Sequence, residues 1–262
     1  MDAVSFLQRD VAAFGKRVHR LGLSASFGLD AAGIEAALER GINYVFWNPT
    51  ARAMGTALKA VTPRLRDRLI IATGPTFGFF AGSLRKRVET ALRFLQTDYL
   101  DVFQLYWLGR TSAWTSSVVD ELLTLQREGK VRALGASIHD RPRAGKLALD
   151  SPLTLFMLRY NAAHPGAERE VFPHLAARKP AVVAYTATDW RRLLKRPHGW
   201  KDPVPTAGDC YRFCLSNPHV DVVLCGPANV QQLDENLRAL ERGPLAVDEM
   251  AWMRAFGAKV HG

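Results

Sequence analysis

The chain has 262 residues, 48% of them hydrophobic, and its 35 Lys and Arg against 25 Asp and Glu give a formal net charge of +10. This is the composition of a globular chain with enough apolar residues for a sizeable core, and no apolar stretch reaches the ~20 residues of a membrane span. The basic residues are scattered rather than interleaved with aromatics as in a nucleic-acid module, and Cys210, Cys214 and Cys225 are too few and too poorly spaced for a disulfide framework or a metal site.

Strand and helix signals then alternate along the chain. Residues 3–14 read as an amphipathic helix carrying Val4, Leu7, Val11 and Phe14 in one stripe, an N-terminal extension packed on the outside or floor of the domain. The opening residues lack the basic start, apolar run and cleavage site of a signal peptide, so a cytoplasmic location is expected. Residues 20–25 read as a short strand. Helix 30–40 opens at the cap candidate Asp30 and stops at Gly41. Strand 42–48, helix 50–61, the compact apolar strand 68–73 and helix 82–95 follow. Strand 100–107, helix 115–128, strand 130–138 and a short helix 141–149 come next. Strand 153–160, a helix near 166–178, strand 181–187, helix 206–216, strand 220–225 and helix 229–242 complete the series, and a last helix covers about 247–260.

Eight strand–helix units without a composition break predict one α/β domain over 1–262, a closed (β/α)8 TIM barrel with an extra C-terminal helix. No GxGxxG follows an early strand, which counts against a doubly wound sheet. The longest irregular stretch, 188–205, follows the seventh barrel strand. It falls on the face where barrel ligands bind, although Leu193 and Leu194 could equally belong to a short packed helix. Aromatic residues crowd the ends of the second to fourth barrel strands and the loops beyond. Phe46, Trp47 and Trp107 are therefore candidates, with Asn161, for a pocket that takes an apolar or aromatic small molecule. Phe46 and Trp47 are adjacent, so a regular strand must turn them to opposite faces.

GINYVFWN, REGKVRALGAS, RYNAAHPGAEREVFPHL, VVAYTAT and CGPANVQQLDENLRAL, in this order from about residue 18 to 245, resemble the aldo-keto reductase superfamily, in a divergent oxidoreductase branch. The resemblance implies an NADP(H)-dependent carbonyl reductase ancestry. It also implies a catalytic tetrad in which a tyrosine donates a proton, a lysine and an aspartate lower its pKa, and a histidine orients the carbonyl. Matched residue by residue, the aspartate falls at Phe46, the lysine at Gly74 and the histidine at Tyr106, and no tyrosine stands in 49–54. The resemblance assigns the nicotinamide end of the cofactor to Ser137, Tyr185 and Thr186, with Ile138 and Met157 replacing two amide side chains. It assigns the adenosine end to Gly226, Gln232, Glu235 and Asn236, with Ala228 where a serine commonly meets the 2′-phosphate.

The residues at the strand ends offer a different chemistry, in which Tyr106 or His139 donates the proton, His139 being a group that titrates near neutrality. Two alternatives stand beside this reading. One is a catalytically inactive nucleotide- or ligand-binding barrel, a pseudoenzyme. The other is a cofactor-independent lyase, isomerase or hydrolase using the His139–Asp140 pair. No metal, nucleic-acid or membrane partner is expected.

Overall fold

Runs of valine, leucine, isoleucine and alanine too short to be helices form the strands, and the stretches with 3.6-residue apolar spacing form the helices between them. The structure, a computed structural model, describes residues 6–24 and 27–261. Its strands are β1 (Gln8–Val11), β2 (Lys16–His19), β3 (Leu21–Ser24), β4 (Tyr44–Phe46), β5 (Ile70–Thr73), β6 (Leu100–Leu105), β7 (Val131–Ser137), β8 (Leu155–Arg159), β9 (Ala181–Tyr185) and β10 (Val222–Cys225). Its helices are α1 (Ala31–Glu39), α2 (Arg52–Leu65), α3 (Ala81–Leu95), α4 (Ser116–Arg127), α5 (Arg141–Asp150), α6 (Ala167–Glu170), α7 (Ala207–Ser216), α8 (Val230–Glu241) and α9 (Val247–His261).

Strands β3 to β10 are parallel and close on themselves in the order β10-β3-β4-β5-β6-β7-β8-β9, the (β/α)8 barrel expected. Alternation along each strand sorts side chains into two layers. Tyr44, Ile70, Ala72, Val102, Ala133, Leu155, Met157, Val183, Val222 and Leu224 fill the inside. Val45, Ile71, Phe103, Leu134, Phe156, Val182 and Val223 face the helices. No helix among the described residues is long and apolar enough to cross a membrane.

The N-terminal extension differs from the helix predicted over 3–14. Residues 1–5 lie outside the described residues, and from Gln8 onward the chain is a β1–β2 antiparallel hairpin. Gly15, at φ +60°, takes the left-handed turn conformation. The hairpin and its turn place Val11, Phe14 and Val18 inside the lower end of the barrel, against Tyr44, Ile70 and Val102. Their spacing of three and four mimics a helical stripe because a tight turn intervenes. A second difference lies at 166–178, where α6 ends at Glu170 and only a 3₁₀ turn, Phe172–His174, continues it. Pro173 in that turn has no N–H to extend an α-helix.

Buried charge ties the floor together. Asp101, fully buried, accepts from Lys16 Nζ at 2.8 Å, Arg66 Nη1 at 2.8 Å and the Ile71 amide at 3.0 Å. Arg20, only 1% exposed, donates to the carbonyls of Phe6, Leu215 and Val220. Burial brings its pKa down to about 10.

The C-terminal helix, expected over 247–260, is held by charge at one end and close packing at the other. Arg212 donates two bonds of 2.7 Å to Glu249, and Arg242 a third. A Cβ on Gly257 would lie 2.1 Å from the Ala162 carbonyl, so α9 reaches that loop only with glycine there. The Arg212 hydrogen bonds, aided by the Ala246 amide, hold the Glu249 carboxyl at about 2. A depressed folded-state pKa stabilises above the ordinary carboxylate range and is lost as pH falls towards that value. Glu249→Gln is therefore expected to lower stability by about 1–3 kcal/mol at pH 7. In urea denaturation the gap from the parent protein should close between about pH 4.5 and pH 2. A gap independent of pH would show that the carboxylate charge does not hold α9.

Candidate functional site at the barrel mouth

The C-terminal ends of the strands surround a cavity of about 550 Å³. Ser24, Phe46, Tyr106, Ser137, Met157, Tyr185 and Leu224 line it from the barrel. Phe27, Asn48, Thr76, Trp107, Thr186, Thr188, Trp190, Arg191 and Gly226 line it from the loops, and Tyr211 from α7. Among the described residues, Arg191 is the one charged residue in this wall.

One corner is set by a glycine. A Cβ on Gly74 would stand 1.9 Å from the Gln104 carbonyl oxygen and 2.9 Å from Cε1 of Tyr106. The Tyr106 ring thus lies across bare backbone beyond β5. Its hydroxyl reaches towards β4, 3.5 Å from the Trp47 carbonyl, and its ring packs on Phe46 at 5.4 Å between centroids. Burial pushes the Tyr106 phenol far above its ordinary pKa, and the neighbouring Thr73 hydroxyl and Gly74 amide pull it back only in part.

The opposite wall carries a histidine–tyrosine contact. Tyr185 Oη stands 3.2 Å from His139 Nε2, with the rings edge to face at 80°. Burial raises the Tyr185 phenol to about 12 even though Arg159 favours its ionised form. Burial, then the charges of Arg159 and Arg110, lower His139. Both shifts keep the pair neutral near pH 7. Asp140 does not join it: its side chain caps α5, accepting from the Arg143 amide at 3.0 Å. Ser137 Oγ lies buried below, without a hydrogen-bond partner among the described residues.

The rim after β9 is strained. Thr186, Asp189, Trp190 and Arg191 all have φ between +47° and +71°, a conformation that each non-glycine residue adopts only when its surroundings enforce it. Asn161 Nδ2 donates to the Thr186 carbonyl at 2.7 Å, His164 Nε2 stands 3.3 Å from Asp189, and Leu193 is fully buried beneath. The stretch 188–205 therefore both touches the cavity, through Thr188, Trp190 and Arg191, and contains a packed turn, Arg192–Leu194.

Of the residues singled out in the sequence, Phe46, Tyr106, Trp107, Ser137, Tyr185, Thr186 and Gly226 line the cavity. His139 borders it through Tyr185. Two expectations are corrected. Trp47 is not a pocket residue: alternation after Phe46 turns it outward, where it is 2% exposed and stacks on Phe94 of α3 at 5.3 Å. Asn161 is not one either: fully buried, it accepts from the Ala163 and His164 amides and ties the rim in place. Gln232, Glu235 and Asn236 sit on α8 outside the cavity wall. Gln232 Oε1 accepts from the Ala228 amide, Glu235 accepts from Gln231, and Asn236 is buried. Sequence reading missed Ser24, Thr76, Arg191 and Tyr211. Ser24 was recoverable, since it ends an inward-alternating strand, whereas Tyr211 comes from a helix with no such marker.

Residues 29–204 match the model of the aldo/keto reductase family. The chain belongs to the aldo/keto reductase family. Among curated members, aldo-keto reductase YhdN of Bacillus subtilis is 28% identical over 169 residues, which cover 58% of this chain and 50% of YhdN. The chain thus spans half the length of that relative. L-galactose dehydrogenase of Arabidopsis thaliana is 23% identical over 288 residues, covering 90% of this chain and 88% of the relative. The holo form of aldo-keto reductase AKR11C1 from Bacillus halodurans superposes with a TM-score of 0.77 at 23% identity, over 95% of both chains. An aldo/keto reductase from Klebsiella pneumoniae in complex with NADP and acetate gives 0.75 at 22% identity, over 92% of both. At these identities the solved structures establish that the barrel is shared.

Proposed function

We propose that this aldo/keto reductase binds a nicotinamide dinucleotide, NADP(H) or NAD(H), in its barrel mouth beside an apolar or aromatic small molecule. We further propose that it lacks the tuned tyrosine acid with which the family reduces carbonyls. The observation that carries the second part is the corner at Gly74. The position matched to the lysine has no side chain, and a Cβ there would meet the Gln104 carbonyl and the Tyr106 ring. The position matched to the aspartate is Phe46, packed on that same ring. Neither can lower a phenol's pKa, and Tyr106 is shifted upward instead.

The residues present fit the nicotinamide end in part. Ser137 brings a buried, unpartnered hydroxyl to the cavity wall, able to bond a carboxamide, and Tyr185 presents its ring there. Met157 and Ile138 offer no such bond. When bound, the nicotinamide would supply or accept a hydride. The protein side of the site holds that ring and excludes water with aromatic walls. The 226–236 segment contains no Lys or Arg, so no charged partner for a 2′-phosphate is built there. NADPH and NADH are accordingly expected to bind within about threefold of each other, well under 1.4 kcal/mol apart. A cytoplasmic location belongs to the same proposal, supported by three buried, unpaired cysteines.

The test is titration of the full chain with each cofactor, read by quenching of Trp107 and Trp190 at the mouth. Saturable quenching is expected, weakened about five- to tenfold in Ser137→Ala for the loss of one hydrogen bond. Absence of quenching by either cofactor would refute cofactor binding. A second reading, an active reductase with a different acid, is favoured by the 3.2 Å Tyr185–His139 contact. It requires carbonyl-dependent oxidation of NADPH that Tyr185→Phe abolishes.

A further inference from the structure

Arg159 follows the inward-facing Met157 by two residues on β8, so alternation turns it inward at the barrel end, where it borders the cavity behind Tyr185 rather than forming part of its wall. Its register partner on β9 is Tyr185, which lines the cavity. Arg159 is half-buried as a residue, and among the described residues its guanidinium has no carboxylate within ion-pairing distance and no hydrogen-bond acceptor. Asp189, the acidic side chain of the adjoining rim, is already engaged by His164 and Arg192, each at 3.3 Å. A second guanidinium, the exposed Arg110, rises from the turn that begins at Trp107 and is also unpaired among the described residues. Both charges are felt at His139, whose pKa they lower, and that of Arg159 is felt at Tyr185 as well.

A cation drawn partly out of water without a counter-charge is unfavourable, and an anion brought by a ligand would relieve it. The space beside it is greasy, walled by Phe46, Met157 and Leu224. We propose that Arg159, seconded by Arg110, anchors the carboxylate of an apolar aryl or alkyl acid whose body lies in this cavity. A planar two-oxygen carboxylate matches the guanidinium fork. The assignment rests on the mouth being a ligand site, as proposed above, but not on the cofactor being bound there.

The probes are 2-naphthoate and its neutral counterpart 2-naphthamide, titrated against the full chain by tryptophan quenching, with and without NADPH. The acid is expected to bind at least about tenfold more tightly, a difference of about 1.4 kcal/mol. Arg159→Met should erase that preference by weakening the acid alone, and unchanged amide binding in this variant shows the cavity intact. Arg159→Lys should keep part of the preference. Equal binding of acid and amide, binding of neither, or a preference that survives Arg159→Met would overturn the assignment. Tighter binding of 1-naphthyl phosphate than of 2-naphthoate would overturn its carboxylate part. Failure of NADPH to quench, with the naphthoate preference intact, would count against cofactor binding alone.

Discussion

Gly74→Lys is expected to destabilise the barrel by about 3 kcal/mol, the upper end of what overpacking usually costs, and not to bring back a proton-tuning cation. The reason is geometric. The first atom of any side chain at this position would meet the Gln104 carbonyl oxygen at 1.9 Å. That oxygen is backbone, so no rotamer change relieves the clash, and β6 or the β5 end must move. The Tyr106 ring at 2.9 Å adds a second obstacle. Gly74→Ala should show most of the loss, because the Cβ alone makes both contacts. Adding Tyr106→Ala should not rescue either variant, because the carbonyl remains. Urea denaturation of the parent and these four variants measures this. A Gly74→Lys protein as stable as the parent would mean that the mouth can accommodate the family's lysine after all.

Asp101→Ala is expected to cost about 3–5 kcal/mol, the range for removing one partner of a buried ion pair. Asp101 has no exposed surface, and its two oxygens collect Lys16, Arg66 and the Ile71 amide. Without it two cations, each 12% exposed, face one another at the barrel floor. Lys16 and Arg66 also donate to backbone carbonyls, at Leu69 and Tyr99 respectively. Those bonds spare them complete isolation but supply no negative charge. Lys16 belongs to the β1–β2 hairpin, so the loss should also loosen the plug of Val11, Phe14 and Val18. Faster amide hydrogen exchange in the hairpin than in β7 would report that loosening. Asp101→Asn, which keeps an acceptor for the amide, should lose less. A cost below about 1 kcal/mol, the range of an exposed pair, would remove Asp101 from the account of the floor.

The architecture was legible wherever one periodicity held without interruption. Strands such as LIIAT and VDVVLC are short, apolar and bounded by turns, and they recur eight times with helical stripes between. Alternation also separates Phe46 from Trp47, and it is Trp47 that turns away from the pocket to stack under α3. The N-terminal hairpin was not legible, because Val11, Phe14 and Val18 keep a helical spacing through a turn made by Gly15. Within the site, individual wall residues could be read from their place at strand ends. The Gly74–Tyr106 relation could not, since it depends on a side chain from β6 crossing the end of β5 to reach β4. Arg159 lay within reach of the same alternation argument but sat between Met157 and Asn161, the residues that the resemblance and the pocket reading single out. The left-handed run from Thr186 to Arg191 left no mark in composition at all, because none of its four positive-φ residues is glycine.

Hydride transfer to a carbonyl needs a proton delivered to the developing alkoxide, and the groups at this mouth are poor donors near neutral pH. Tyr106 and Tyr185 are raised by burial, and His139 is lowered and so uncharged. The decisive measurement is the absorbance of reduced nicotinamide when the full chain, saturated with NADPH as judged by tryptophan quenching, meets a panel of aldehydes and ketones between pH 6 and pH 9. The expected result is saturable cofactor binding with NADPH consumed no faster than without protein. Rapid, multiple-turnover oxidation that depends on the carbonyl and disappears in Tyr106→Phe would contradict it, for Tyr106 would then be the tuned acid that its surroundings here do not provide.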